Sequence, residues 1–184
     1  MWVSVRQQQL PRDDKVTMRL RQFDIIDDFL DEPNDHLEDV LSKDFFNVDS
    51  EAGVFQGIQP RSVDQVQEKL IWFLRNEYEV VHNFVRISPE GQVEPNFIHS
   101  DEMMGDLTAI LYLSTDAPSM DGTTIYNDDK SNKVTFFSAF NRIIIFDSDQ
   151  LHSRNIFSNF GVDKSSRLIQ VLFLNRKKWQ QQQQ

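Results

Sequence analysis

Residues 98–114 read Ile98-His99-Ser100-Asp101-Glu102-Met103-Met104-Gly105-Asp106-Leu107-Thr108-Ala109-Ile110-Leu111-Tyr112-Leu113-Ser114. The second half, Leu107–Ser114, is a strand-like run rich in apolar residues. The first half is a His-x-Asp triplet placed where another strand-like segment, Asn96–His99, ends. In extended backbone, residues i and i+2 project to the same face, so His99 and Asp101 set an imidazole beside a carboxylate. The chain holds a second triplet of this kind, His36-Leu37-Glu38. That one falls in a helix-patterned segment, where i and i+2 lie about 200° apart around the axis and cannot grip one ion.

Outward from this stretch, short segments with β-branched and aromatic residues recur: Val80–Ile87, Thr123–Tyr126, Lys133–Ser138, Arg142–Asp147, Asn155–Phe157 and Arg167–Leu174. Turn signals separate them at Pro89-Glu90-Gly91, between Pro118 and Gly122, at Asn127–Asn132 and at Gly161-Val162-Asp163. Many short strands at this spacing indicate a β-sandwich or jelly roll. Upstream, Phe23-Asp24-Ile25-Ile26 reads as a short strand. A helix follows, capped by Asp31, with Pro33 in its first turn and Leu37, Val40 and Leu41 on one face. A second helix is expected from an N-cap at Ser62 to about Tyr78, with Val63, Val66, Leu70, Phe73 and Leu74 at helical spacing. The expected fold is mainly β with flanking helices (α+β): a double-stranded β-helix, or jelly roll, with N-terminal helices packed on one sheet. Residues 1–179 are read as one domain, with 1–78 supplying the N-terminal strand and helices and 79–176 the core jelly roll. Residues 1–20 read as an edge strand or loose arm, and the five glutamines 180–184 as a disordered tail.

Of the 184 residues, 39% are hydrophobic and 26% charged, and fifteen are Phe, enough bulk for a packed core. The formal charge of −10 repels nucleic-acid backbones and anionic membranes, so neither is an expected partner. Cysteine is absent, which excludes disulfides, thiol nucleophiles, zinc–thiolate sites and iron–sulfur clusters. Histidine and carboxylates are left as the strong metal ligands. No apolar stretch reaches the length of a membrane span, and residues 1–7 show no apolar leader, so a cytoplasmic protein is expected.

A metal held by His99 and Asp101 needs a further ligand. His152 stands just beyond the apolar run Arg142-Ile143-Ile144-Ile145-Phe146, about fifty residues on. Two histidines and one carboxylate on one face of a metal leave the opposite positions open, as in the facial triad of non-haem Fe(II) oxygenases. Taken singly, His99 also fits a surface residue bonded to Asp101, and His152 a satisfied histidine at a strand end.

The motifs together resemble the 2-oxoglutarate/Fe(II)-dependent dioxygenase superfamily, in particular its prolyl-hydroxylase-like branch. The likeness spans about residues 80–175. Ile98-His99-Ser100-Asp101 is similar to the His-x-Asp triplet, and Leu107–Ser114 to the strand ending Tyr-Leu-Asn. Asp121-Gly122-Thr123-Thr124-Ile125-Tyr126 is similar to the Gly-Gly-x-Thr-x-Phe element, and Asn141–Phe146 to the strand leading to the distal histidine, here His152. Arg167-Leu168-Ile169-Gln170-Val171-Leu172-Phe173 resembles the strand that carries the basic residue for the cosubstrate. The resemblance implies that His99, Asp101 and His152 hold Fe(II). It implies too that Arg167 pairs with the distal carboxylate of 2-oxoglutarate and that Tyr112 donates a hydrogen bond to it. Arginine suits the task, because its planar fork matches a carboxylate bidentately and keeps its charge when buried. The implied activity is hydroxylation with O₂ of a peptide or protein side chain, prolyl by analogy, or of a small molecule. Asp101 argues against halogenation, since halogenating relatives lack this carboxylate.

This sequence departs from the family pattern in a longer segment between His152 and Arg167, around Ser158–Ser165, read as a lid or as a displacement of Arg167. Ile169 stands where many members have serine, and Ser88-Pro89 stands where the branch often has a tyrosine. Arg154 and Asn155 are expected to face solvent. Loops at Gly53–Arg61, Pro89–Pro95 and Pro118–Asn132 are expected to line the substrate groove. Two other readings stay open from the residues alone: a cupin-like metalloprotein that does not use 2-oxoglutarate, and a non-catalytic jelly-roll binding protein. Substrate identity and oligomeric state are not legible in the sequence.

Overall fold

The computed structural model describes residues 23–50, 53–94, 96–156 and 158–178. The expectations for residues 1–20 and for the glutamines 180–184 lie outside these. Ten strands form two antiparallel sheets. They are β1 (Phe23–Ile26), β2 (Phe46–Ser50), β3 (Gly53–Pro60), β4 (Tyr78–Ser88), β5 (Leu107–Tyr112), β6 (Gly122–Tyr126), β7 (Lys133–Phe137), β8 (Ile143–Asp147), β9 (His152–Arg154) and β10 (Arg167–Arg176). The seven-stranded sheet runs β1-β8-β5-β10-β4-β3-β2, and the three-stranded sheet runs β7-β6-β9. The expected jelly roll is the observed architecture, with α1 (Pro33–Leu41) and α2 (Gln65–Phe73) on the outer face of the larger sheet.

Strand alternation creates two cores. On β10, Leu168, Leu172 and Leu174 point toward the helices and meet Leu37, Val40, Val66 and Leu70. Ile169, Val171 and Phe173 point between the sheets and meet Ile110, Tyr112, Ile125, Phe136, Ile144 and Phe146. A strand buried on both faces reads as a continuous apolar run, which is why β5, β8 and β10 stand out in the sequence. Each fully buried leucine or isoleucine contributes about 1.5–3 kcal/mol of transfer free energy.

Several boundaries differ from the sequence reading. Gly53–Pro60 is a strand rather than a loop, paired with β2 in a hairpin that the sequence reading missed. Gly57, at φ +66°, forms a bulge, where an added Cβ would lie 2.2 Å from the Ile87 carbonyl oxygen. The cap of α2 is Asp64, not Ser62: its carboxylate accepts from the Gln67 amide. That helix ends at Phe73 because Arg75 and Asn76 turn to positive φ. The residue capping α1 is Glu32, with no side-chain hydrogen bond, in place of Asp31. Asn96–His99 is no strand; only His99 bridges, to His152. The strand expected at Asn155–Phe157 lies earlier, at His152–Arg154, while Phe157 is outside the described residues.

Candidate metal centre

His99 and His152 face each other as an antiparallel bridge, exchanging backbone hydrogen bonds of 3.0 and 2.8 Å. Directly opposed residues share a face, so both rings point the same way. His152 is also in register with buried Ile125 on β6, which turns that shared face toward the barrel interior. Asp101, two residues beyond His99, joins the same face and is pinned by its amide to the Ser148 carbonyl at 2.7 Å. The candidate ligand atoms of His99, Asp101 and His152 all lie within 4.8 Å of one another. Asp101 is 3.6 Å from His99 Nε2 through one oxygen and 3.2 Å from His152 Nε2 through the other.

The other nitrogen of each ring is already engaged. His99 Nδ1 sits 3.0 Å from the Phe97 carbonyl and His152 Nδ1 3.0 Å from the Gln150 carbonyl. A carbonyl only accepts, so each Nδ1 donates to it and each Nε2 is turned toward the carboxylate. Two imidazole Nε2 atoms and a carboxylate facing one another suit a bound cation, and the carbonyl partners hold the rings for it. The donor set of two imidazoles and one carboxylate fits Fe(II) or a similar borderline divalent ion. His36, by contrast, is on α1 on the far side of the sheet. There its Nε2 meets Gln170 Oε1 at 2.7 Å, and burial lowers its pKa.

Between the sheets there is also a charged pocket. Arg167 opens β10 on the inner face, in register with Ser88, and its side chain is 4% exposed. Among the described residues it has no hydrogen-bond partner. Its Nε is buried unpaired, and its one ion-pair contact is Asp121, 3.5 Å away. A buried guanidinium without hydrogen bonds calls for an acceptor that is not part of the chain, which fits a ligand carboxylate. Tyr112, in register with Ile169, is buried beside it. Its hydroxyl donates to Thr123 Oγ1 at 2.8 Å, and burial pushes the phenol pKa up.

Four further charged residues of this pocket, Arg86, Glu94, Asp121 and Arg154, escaped the sequence reading. Arg154 does not face solvent. It lies on the His152 side of β9, donates to Glu94 at 3.1 Å and to Asn159 at 2.6 Å, and is 13% exposed. Burial, reinforced by the charge of Arg167, pushes its pKa down to about 10. Glu94 also takes Arg86 at 3.0 Å and accepts from Ser88 and Gln92. Asp121 is 1% exposed, and neither carboxylate oxygen has a hydrogen bond. The signal for Arg86 was in the sequence: it alternates with Phe84 onto the inward face of β4. Arg154 would have been found by i, i+2 parity with His152 had β9 been placed correctly. The long segment before Arg167 leaves that residue at the head of β10. It closes with a short 3-10 turn, Asp163–Ser165, and binds the 89–94 loop through Glu90 to Gly161 and Asn159 to Gln92.

No protein-family model matches the chain, and no curated protein matches it by sequence. Solved structures do match in fold. A viral collagen prolyl hydroxylase from Paramecium Bursaria Chlorella virus-1 aligns over 94% of this chain and 99% of its own, at 14% identity and a TM-score of 0.58. The epimerase SnoN in complex with Fe3+, alpha ketoglutarate and nogalamycin RO aligns over 83% and 78%, at 12% identity and a TM-score of 0.60. A Trichoplax adhaerens prolyl hydroxylase, solved with a hypoxia inducible factor peptide fragment, aligns over 83% and 82%, at 17% identity and a TM-score of 0.54. The chain therefore has the jelly-roll fold of the 2-oxoglutarate- and Fe(II)-dependent oxygenases, prolyl hydroxylases among them.

Proposed function

We propose that this protein is a non-haem Fe(II)- and 2-oxoglutarate-dependent oxygenase that hydroxylates a peptide or protein side chain, or a small molecule. The observation that carries the reading is the pairing of two features between the same sheets. His99, Asp101 and His152 converge on one point, and Arg167 is buried without a hydrogen bond on the inner face of the larger sheet. A cupin-like metalloprotein would have no use for the second feature, and a non-catalytic binding protein none for either. In this reading the iron and cosubstrate, when bound, supply oxidation by O₂ coupled to decarboxylation of 2-oxoglutarate.

The chain's own residues do the rest. Phe97 and Gln150 carbonyls fix both imidazoles so that their Nε2 atoms meet the metal. Arg167 takes the distal carboxylate of 2-oxoglutarate, and the Tyr112 hydroxyl adds a donor beside it by exchanging its bond to Thr123 Oγ1 for one to the ligand. Phe146 packs edge-on against the His152 ring at 5.0 Å and helps keep water from the inner side. On the outer side Phe97 and Met103, 59% and 91% exposed, flank the ligand segment and offer an apolar rim to substrate. Of the neighbouring folds, one is a prolyl hydroxylase solved with a peptide, which favours a peptide substrate here. A cytoplasmic location belongs to the same reading and suits a cysteine-free chain.

Anaerobic Fe(II) titration with and without 2-oxoglutarate, followed by visible charge-transfer absorbance, tests this. Absorbance that requires both components, and disappears in His99→Ala and in Arg167→Ala separately, is the expected result. Metal binding indifferent to Arg167→Ala and to 2-oxoglutarate would favour the cupin-like alternative. Absence of metal binding above background would favour the non-catalytic one.

A further inference from the structure

The charged pocket is not built around Arg167 alone. It holds three guanidiniums, of Arg86, Arg154 and Arg167, and two carboxylates, of Glu94 and Asp121, leaving one positive charge in surplus. Glu94 is consumed by Arg86 and Arg154. Asp121 is the odd member. Its two oxygens are buried without a hydrogen bond, and they face the Nε edge of Arg167 at 3.5 Å, a contact too poorly aligned to count as a hydrogen bond. Its backbone is fixed on both sides, by its amide to the Pro118 carbonyl and by its carbonyl to the Ser138 amide, so the carboxylate is held there by the fold. Burying a carboxylate with neither oxygen bonded is costly, and the charge of the buried Arg167 beside it offsets that cost.

From this placement we propose that Asp121 is a positioning and affinity-setting residue for the anion pocket. It acts as the built-in counter-ion of Arg167, orienting the guanidinium from behind and weakening the hold on an incoming carboxylate. The inference rests on the proposed role of Arg167 in binding 2-oxoglutarate. With its oxygens sealed from solvent, Asp121 does not touch that ligand. It occupies the Nε edge and leaves the two terminal nitrogens as the binding edge. Its negative charge also opposes the negative charge of the ligand across the guanidinium, through a medium of low dielectric. The pocket thereby accepts one carboxylate at moderate affinity and releases a spent dicarboxylate readily.

The test is 2-oxoglutarate affinity in the Fe(II)-loaded protein without oxygen, read by charge-transfer absorbance, for wild type, Asp121→Asn and Asp121→Ser. Both variants remove the charge and keep a hydrogen-bonding group. Each is expected to bind 2-oxoglutarate about tenfold more tightly or better, with KM for 2-oxoglutarate falling in step and kcat falling less, as release of the spent dicarboxylate slows. Each is also expected to melt lower than wild type without anion and to gain more in melting temperature on adding glutarate, a dicarboxylate that needs no metal chelation. The double variant Asp121→Asn with Arg154→Gln restores the charge surplus to one and should return affinity to within about threefold of wild type. Equal or weaker binding in the single variants overturns the role of Asp121. Should wild type itself bind no 2-oxoglutarate, the proposed function fails with it, and the two failures are thus distinguishable.

Discussion

His36 shows how little a residue's identity says without its surroundings. It begins the same His-x-acid pattern as His99, yet it is 2% exposed on α1 and bonded to Gln170, which in turn donates to Asp64 and Asn83. Burial is the main cause of its lowered pKa, so the folded protein holds it neutral. The unfolded chain, with an ordinary histidine near pH 6.5, takes up the proton first. The stability from a neutral His36 is therefore present above about pH 6.5 and is lost as pH falls through its lower folded pKa. Urea unfolding at pH 7 and pH 5 should show a loss of stability in wild type that is smaller in His36→Gln. An equal loss in both would remove His36 from the acid response.

At the scale of elements, Glu94 acts as a clasp. It joins β4 through Arg86 and β9 through Arg154, while its loop is tied to the 155–166 segment by Asn159. Burial works against its ionisation. Ser88, Arg86, Gln92 and Arg154 together still hold its carboxyl below the usual range. Replacing it with glutamine leaves two buried guanidiniums without a counter-charge, which is expected to cost about 3–5 kcal/mol. Chemical denaturation of Glu94→Gln measures this, and a loss below about 1 kcal/mol would mean that the clasp is not structural. The ends of the elements were the least legible part of the chain. Ser62 was the expected cap of α2, and Asp64 takes that place because Arg61 and Gln170 hold its carboxylate there.

For the whole molecule, the candidate metal site joins parts that are far apart in the chain. The triad connects the segment after β4 to β9, so ion binding ties the edge of the small sheet to the core. A ligand that binds only the folded state stabilises it by about 2.7 kcal/mol at a hundred times its dissociation constant. Adding Fe(II) without oxygen, or Mn(II) in its place, should raise the melting temperature by several degrees in wild type. A chelator should reverse the shift, and Asp101→Ala should abolish it. A shift that survives in Asp101→Ala would place the ion elsewhere. Among the described residues no helix is long and apolar enough to cross a membrane.

Period and composition were enough to find β5, β8 and β10, because a strand buried on both faces must be apolar throughout. They were also enough to set His36 and Glu38 aside, because a helix separates i and i+2, whereas His99 and Asp101 are brought together by the bridge to His152 and the Asp101 amide on Ser148 rather than by the expected strand. The β2–β3 hairpin was hidden because glycine reads alike in a turn and in a bulge, and only the opposing strand tells the two apart. The bridge that sets His152 beside His99 depends on pairing between segments about fifty residues apart, which no local pattern encodes. The same holds for the charged pocket. Arg86, Glu94, Asp121, Arg154 and Arg167 come from five separate stretches, and their mutual neutralisation exists only once the two sheets have closed around them.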